Sequence, residues 1–183
     1  GIVALKKVIQ SPADGYNLYA CTKSNIAKFV QVGGKDYIDA LNWTAMLMAD
    51  PECIITNRKH DIHKWQEVVK DAIQHPGEQN WVGPAAGGLD HVTALKIWDE
   101  YGMQAKWIPF KSGGKALAAL LGDQGVAYVG NPRDALGNPD LHIAVVSSSQ
   151  RLPAFPDVPT FTELGMSNLE NEYMWRGFAL KQG

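Results

Sequence analysis

Twice in the middle of this chain a short strand-like run feeds a loop of small residues and then an amphipathic helix. That recurrence narrows the fold more than any other feature. Asn80–Val82 leads into Gly83-Pro84-Ala85-Ala86-Gly87-Gly88 and a helix carrying Val92, Leu95, Trp98 and Tyr101, closed by Gly102. Lys106–Phe110 leads into Lys111-Ser112-Gly113-Gly114 and a helix carrying Leu117, Leu120 and Leu121, closed by Gly122. Apolar residues three and four apart mark one face of a helix, and a glycine just past the last of them is a common stop. Strands alternating with helices predict an α/β fold, a mostly parallel sheet with helices on both faces.

The flanks fit the same reading. Tyr16–Cys21 reads as a strand after the turn Pro12-Ala13-Asp14-Gly15, and Cys53–Thr56 as another. Ile62, Trp65, Val68, Val69, Ala72 and Ile73 fall at helical spacing until His75-Pro76-Gly77 stops them. Gly125–Val129 and His142–Val146 read as further strands. Pro153, Pro156 and Pro159 then impose an irregular stretch before a last strand at Trp175–Leu180.

Composition removes several classes. The 183 residues suit one domain or two small lobes. With 17 Lys+Arg against 19 Asp+Glu the net charge is −2, so no broad basic surface for nucleic acid is expected. The most apolar stretch, Leu41–Ala49, falls well short of the roughly 20 residues that span a bilayer as a helix. Cys21 and Cys53 are the only cysteines and lack C-x-x-C spacing, so two buried thiols are expected rather than a disulfide scaffold or zinc site.

Ligands of parallel sheets bind where strand ends run into helix N-termini. Both glycine loops lie at such places. Glycine lets a ligand approach the backbone, and the unpaired N–H groups and dipole of a first helical turn favour an anion. A bound carboxylate or phosphate is one reading of these loops; tight strand-to-helix turns are the other. Neither loop has the G-x-G-x-x-G or G-x-x-x-x-G-K-[ST] spacing, so no nucleotide cofactor is expected. Ser112 and Lys115 match S-x-x-K but lack the companion S-D-N and K-T-G motifs, so no catalytic residue is expected. His60 and His63 lack a third ligand, so no metal is expected either. His91, beside Asp90, is either a ligand contact or a loop cap.

Several segments, taken in order, carry a resemblance. Asp14-Gly15-Tyr16-Asn17-Leu18 resembles DGYTL, and Pro76-Gly77 with GPAAGGLDH (83–91) resembles PG…GSPGxGSxxH. IPFKSGG (108–114), Ala116 and Leu120-Leu121-Gly122 resemble VPYKGGxxAxxxLLGG. HIAVV (142–146), Arg151, PDVPTFTELG (156–165) and Trp175-Arg176-Gly177 resemble LAV…R…PDVPTxxExG…WxG. Together these resemble the extracytoplasmic solute receptors of tripartite tricarboxylate transporters, often called the Bug family.

The resemblance implies a periplasmic binding protein fold of the type II, Venus flytrap kind. Such a receptor closes two lobes on a small carboxylate (a di- or tricarboxylate, acidic amino acid or aromatic acid) and delivers it to membrane transporter subunits. It implies that residues 1–52 are the end of a first lobe. Residues 53–183 would be a second lobe that includes crossing strands 53–57 and 175–180. Carried over by position, Thr22, Ser24 and Asn25 would line the first lobe's side of the site. Gly83, Pro84, Ala85, Ala86, Gly87, Gly88, His91, Lys111, Ser112, Gly113 and Gly114 would line the second lobe's side, with Asn131 replacing an acidic residue of the family pattern. Periplasmic export is implied, its signal peptide being absent from this sequence. Apolar residues of 1–52 such as Val3, Val8, Phe29 and Val30 are expected to pack on first-lobe segments missing here or on a second copy. Two other readings stay open: a ligand-sensing domain of a regulator or signalling receptor on the same fold, and a Ser112/Lys115 hydrolase.

Overall fold

A computed structural model describes residues 2–170 and 172–183. In chain order the elements are α1 (Ile2–Gln10), β1 (Tyr19–Thr22), α2 (Lys23–Gln31), α3 (Lys35–Asp39), β2 (Leu41–Pro51) and β3 (Cys53–Asn57). They continue with α4 (Trp65–Gln74), β4 (Asn80–Pro84), α5 (Leu89–Tyr101), β5 (Lys106–Phe110) and α6 (Gly113–Leu121). Last come β6 (Ala127–Gly130), a 3-10 turn (Pro132–Ala135), β7 (Leu141–Val146) and β8 (Tyr173–Lys181). The mixed α/β class is as expected from the alternation.

The chain forms two compact units. One comprises Gly1–Asp50, Gly87–Leu89 and Met174–Gly183; the other comprises Pro51–Ala86 and Asp90–Tyr173.

The smaller unit holds a three-stranded sheet in the order β1-β8-β2. β8 runs antiparallel to β1, with Tyr19 opposite Ala179 and Thr22 opposite Arg176. Leu5, Tyr19, Cys21, Phe29, Leu41 and Ala179 make its core. This corrects the placing of strand 175–180 with residues 53–183. The strand's small residues decide the matter: Ala179 fills the core beside Tyr19. Gly177 lets the backbone of Ala45 in β2 approach so closely that any Cβ would collide with it.

The larger unit holds a five-stranded sheet, β5-β4-β6-β3-β7. β4 is parallel to β5 and to β6, whereas β3 is antiparallel to β6 and to β7. The sheet is therefore mixed rather than mostly parallel. All five residues of β3 are buried, and a strand covered on both faces is uniformly apolar whichever way its neighbours run. Its direction left no mark in the sequence.

Side chains alternate between two cores, as the period of a strand requires. Ile54, Trp81, Val129 and Val145 face α4 and α5, through Trp65, Val68, Ala72, Ala94, Ile97 and Trp98. Cys53, Ile55, Val82, Tyr128 and Val146 face α6, through Ala116, Ala119 and Leu120. Trp81 meets Trp65 and Trp98 edge-on, and its indole N–H donates to Gln79 Oε1 at 2.9 Å.

The proline-rich segment has a structural explanation. The Thr160 N–H donates to Glu163 Oε2 at 2.8 Å, and the Glu163 N–H donates to Thr160 Oγ1 at 3.1 Å. This is a reciprocal capping box. Arg151 Nε donates to both Glu163 oxygens, at 2.9 and 3.0 Å. These donors hold the Glu163 carboxyl below its usual range, the Thr160 backbone N–H first and Arg151 second.

Candidate functional site

β4 and β5 lie side by side with Pro84 opposite Phe110. Two parallel neighbours must release their next loops at one edge of the sheet, so segments 85–86 and 111–114 emerge together. The Ala85 N–H donates to the Phe110 carbonyl at 2.9 Å and ties the first loop to the second strand. Ala85 has φ 25 and Gly87 φ 78. A non-glycine residue in the left-handed region is strained, and such strain gathers at functional sites.

Beneath this edge, Trp107 lies so close against Gly83 that no Cβ would fit there. His91, one turn into α5, stacks on the same indole with centroids 4.9 Å apart and planes at 28°. Burial pushes the His91 imidazole below its usual range. The Trp107 indole nitrogen is buried, with no hydrogen-bond partner among the described residues.

In the second loop Lys111, Ser112 and Gly114 are exposed. Ser112 caps α6, its hydroxyl accepting the Lys115 backbone N–H at 3.4 Å. The S-x-x-K spacing is thus that of a helix start, where the hydroxyl meets the lysine's amide. A Cβ on Gly113 would stand 2.9 Å from the Tyr128 hydroxyl, which donates to Asp134 at 3.0 Å. His60 and His63 also serve a chain turn: the Ile62 N–H donates to His60 Nδ1, and Glu67 accepts the N–H groups of His63 and Lys64. Among the described residues no group of three or more His, Cys, Asp or Glu is arranged to hold a metal.

Asn131 lies at the same carboxyl edge but faces inward. It is buried, and its amide donates to the Pro51 carbonyl at 3.1 Å and to Glu52 Oε1 at 3.3 Å. In the smaller unit, Thr22, Ser24 and Asn25 form the junction of β1 and α2. Asn25 Oδ1 accepts the Thr22 N–H at 2.9 Å, and Ser24 Oγ accepts the Leu89 N–H at 3.2 Å. Gly87 and Gly88 belong to this unit with Leu89. The structure therefore collects 83–86, 91 and 111–114 at one edge in the larger unit, and 22, 24, 25, 87 and 88 in the smaller.

Sequence reasoning passed over Glu52, Asp90 and Glu172, three buried acids of the larger unit. The signal for Glu52 was a charge heading the apolar run Cys53-Ile54-Ile55-Thr56, directly after Pro51. Cys21 and Cys53 are both buried free thiols. What the exposed edge offers chemically is the first turn of α6, with the small residues of 83–86, an aromatic ring and an imidazole on the same unit. That set suits an anion held by hydrogen bonds.

Comparison with known proteins gives the family. The pattern of the tripartite tricarboxylate transporter family receptor matches residues 1–182. BugT of Bordetella pertussis is 27% identical over 175 residues, covering 90% of this chain and 53% of BugT. A UPF0065 protein from the gbd 5' region of Cupriavidus necator is 26% identical over 133 residues, covering 72% of this chain and 41% of that protein. This chain thus spans about half the length of the curated relatives it matches. Among solved structures, an R. palustris protein with adipate aligns at TM-score 0.90 with 20% identity, over 100% of this chain and 63% of that one. MatC from Rhodopseudomonas palustris with bound malate aligns at TM-score 0.82 with 21% identity, over 99% and 63%. At these identities the structural likeness speaks for the fold. The family pattern does more, because it runs through both units and both glycine loops: the chain belongs to the tripartite tricarboxylate transporter receptor family.

Proposed function

We propose that this chain serves an extracytoplasmic solute receptor that binds a small carboxylate in the periplasm and presents it to a tripartite tricarboxylate-type transporter. The observation that carries the reading is that residues 83–86 and the glycine-containing start of α6 leave the larger sheet at one edge, set by the parallel register of β4 and β5. A carboxylate accepts backbone N–H groups there without needing a charged side chain. Adipate and malate in two structurally similar proteins support that ligand class. Loop 83–88 has no serine hydroxyls, so selection falls to amide geometry and to the shape set by Ala85, Ala86 and the Trp107–His91 stack. We assign residues 1–50 to a first lobe. Their exposed Val3, Met46 and Leu47 (86%, 68% and 64% accessible) are a seat for further first-lobe segments or a second copy.

The test is a thermal-shift titration with malate and adipate, on this chain and on the longer receptor. A ligand at 100 times its Kd stabilises by about 2.7 kcal/mol. At least one dicarboxylate is expected to raise the Tm of the longer receptor, and Gly88→Pro to abolish the shift by deleting a donor and bending the loop. Ser112→Ala is expected to retain the shift. No shift with any di-, tri- or aromatic carboxylate or acidic amino acid overturns the reading.

A further inference from the structure

We propose that the outer edge of β7 is a docking groove for an extended segment of a partner protein. That segment is apolar at alternate positions, with an acidic residue to meet Arg58 and a basic one to meet Asp157. β7 closes the larger sheet at the end opposite β5, so the groove is distinct from the edge where 83–86 and 111–114 emerge.

The backbone of β7 is open on its outer side over a short stretch. In an antiparallel pair, residues that exchange hydrogen bonds alternate with residues that do not. The Arg58 N–H donates to the Asp140 carbonyl at 2.7 Å, and Thr56 opposite His142 is the next such pair. Leu141 and Ile143 therefore turn their N–H and C=O groups away from β3. Leu141 finds partners within the chain: its N–H donates to the Asn138 carbonyl at 3.2 Å, and its carbonyl accepts from Arg58 Nε at 3.0 Å. Beyond the irregularity between Ile54 and Ile55, Val146 is covered as well. Its N–H donates to the Pro159 carbonyl at 3.1 Å, and its own carbonyl accepts the Phe161 N–H at 3.0 Å. Ile143, between the two, has no such cover among the described residues. Segment 154–158 passes that point without pairing, because the Phe155 and Val158 N–H groups donate to the Leu152 and Phe155 carbonyls.

That divergence leaves a cavity of about 560 Å³ between β7 and 154–158, within the roughly 300–1,000 Å³ of ligand pockets. Leu141, Ile143, Phe155 and Val158 give it apolar walls. Arg58 and Asp157 line it too, and both are exposed. Neither enters the ion pairs of the described residues, in which Lys59 takes Asp140 and Arg151 takes Glu163. An open strand edge binds another strand through its main chain, while pockets and charges select among the candidates. The parallel bridge of Val146 to Thr160 is a strand segment already added to this edge at one end. A small carboxylate answers Arg58 alone. An extended peptide answers the backbone, the apolar walls and both charges.

The test is a nuclear magnetic resonance titration with the acetylated, amidated hexapeptide EVTVTK, on this chain and on the longer receptor. The Ile143 amide is expected to shift in both, together with those of Phe155 and Val158. Arg58→Glu is expected to weaken binding about tenfold, since an attraction becomes a like-charge repulsion. The uncharged peptide QVTVTQ is expected to be indifferent to that substitution. Ala154→Trp, at an exposed position of the groove wall, is expected to abolish binding by filling the space. If either variant unfolds, the wild-type shifts and the other variant decide. No shift at Ile143 with the peptide overturns the proposal, as does binding that neither variant weakens. Shifts at the groove with hexanoate and none with the peptide also overturn it, in favour of a small acid. So does peptide binding by this chain that the longer receptor lacks, because the rest of the receptor then covers the edge.

Discussion

Strands β2 and β3 are separated in the chain by one residue, Glu52, yet they have opposite fates. Of β2, only Leu41 is buried, and Trp43, Met46, Leu47 and Met48 are all exposed. Of β3, every residue is buried. Both are apolar segments of similar character, so composition does not separate them. Position in the sheet does. β3 lies between β6 and β7, with helices packed against both faces of its sheet, whereas β2 is the outer strand of a sheet of three. Burial contributes about 25 cal/mol per Å² only where the surface actually leaves water. The same methyl groups therefore stabilise one strand and leave the other in search of a cover.

Substitutions in the two strands sharpen this contrast. Ile54→Ala is expected to cost about 2–5 kcal/mol in urea unfolding, because the site is fully buried among Trp81, Val129 and Val145 and collapses poorly. A cost below about 1 kcal/mol would break the comparison.

A smaller effect, visible only in acid, is expected beside β3. His142 on β7 pairs with Thr56, and burial first, then the Arg58 charge, hold its imidazole below 6.5. The folded state thus resists a proton that the unfolded state accepts, so this contribution is present at neutral pH and is lost as pH falls from about 6.5 to the lower folded value. His142→Gln should flatten that acid limb. An unchanged limb in a pH series of melts would remove His142 from the account.

The smallest expected change is in β2. Leu47→Ser should alter stability by no more than about 0.5 kcal/mol, because its side chain is already in water. If a second copy covers this face, the same substitution weakens self-association in sedimentation experiments. A large loss of monomer stability would mean that β2 is held by contacts other than those described.

The glycine loops were legible because each was bracketed by an apolar run and a helical period. Their common edge follows once β4 and β5 are parallel. The direction of β3 was not legible, since a uniformly buried strand carries no mark of its neighbours' sense. Nor was the pairing of β8 with β1, made by residues far apart in the chain. PDVPTFTELG was the most specific motif, and the structure gives it a capping box braced by Arg151. Recognisability and ligand contact are separate properties.

By itself the sequence determined the local alternation of strand, loop and helix, the helix stops, the absence of nucleotide-loop spacing and the resemblance to a receptor family. These depend on neighbours three or four residues away, or on motifs that are contiguous. Only the tertiary structure decided which apolar strand is covered, which way β3 runs, and that Glu52 lies in the interior. A carboxyl's charge state depends on the groups around it in space and on the loss of water, and neither is written in the residues beside it.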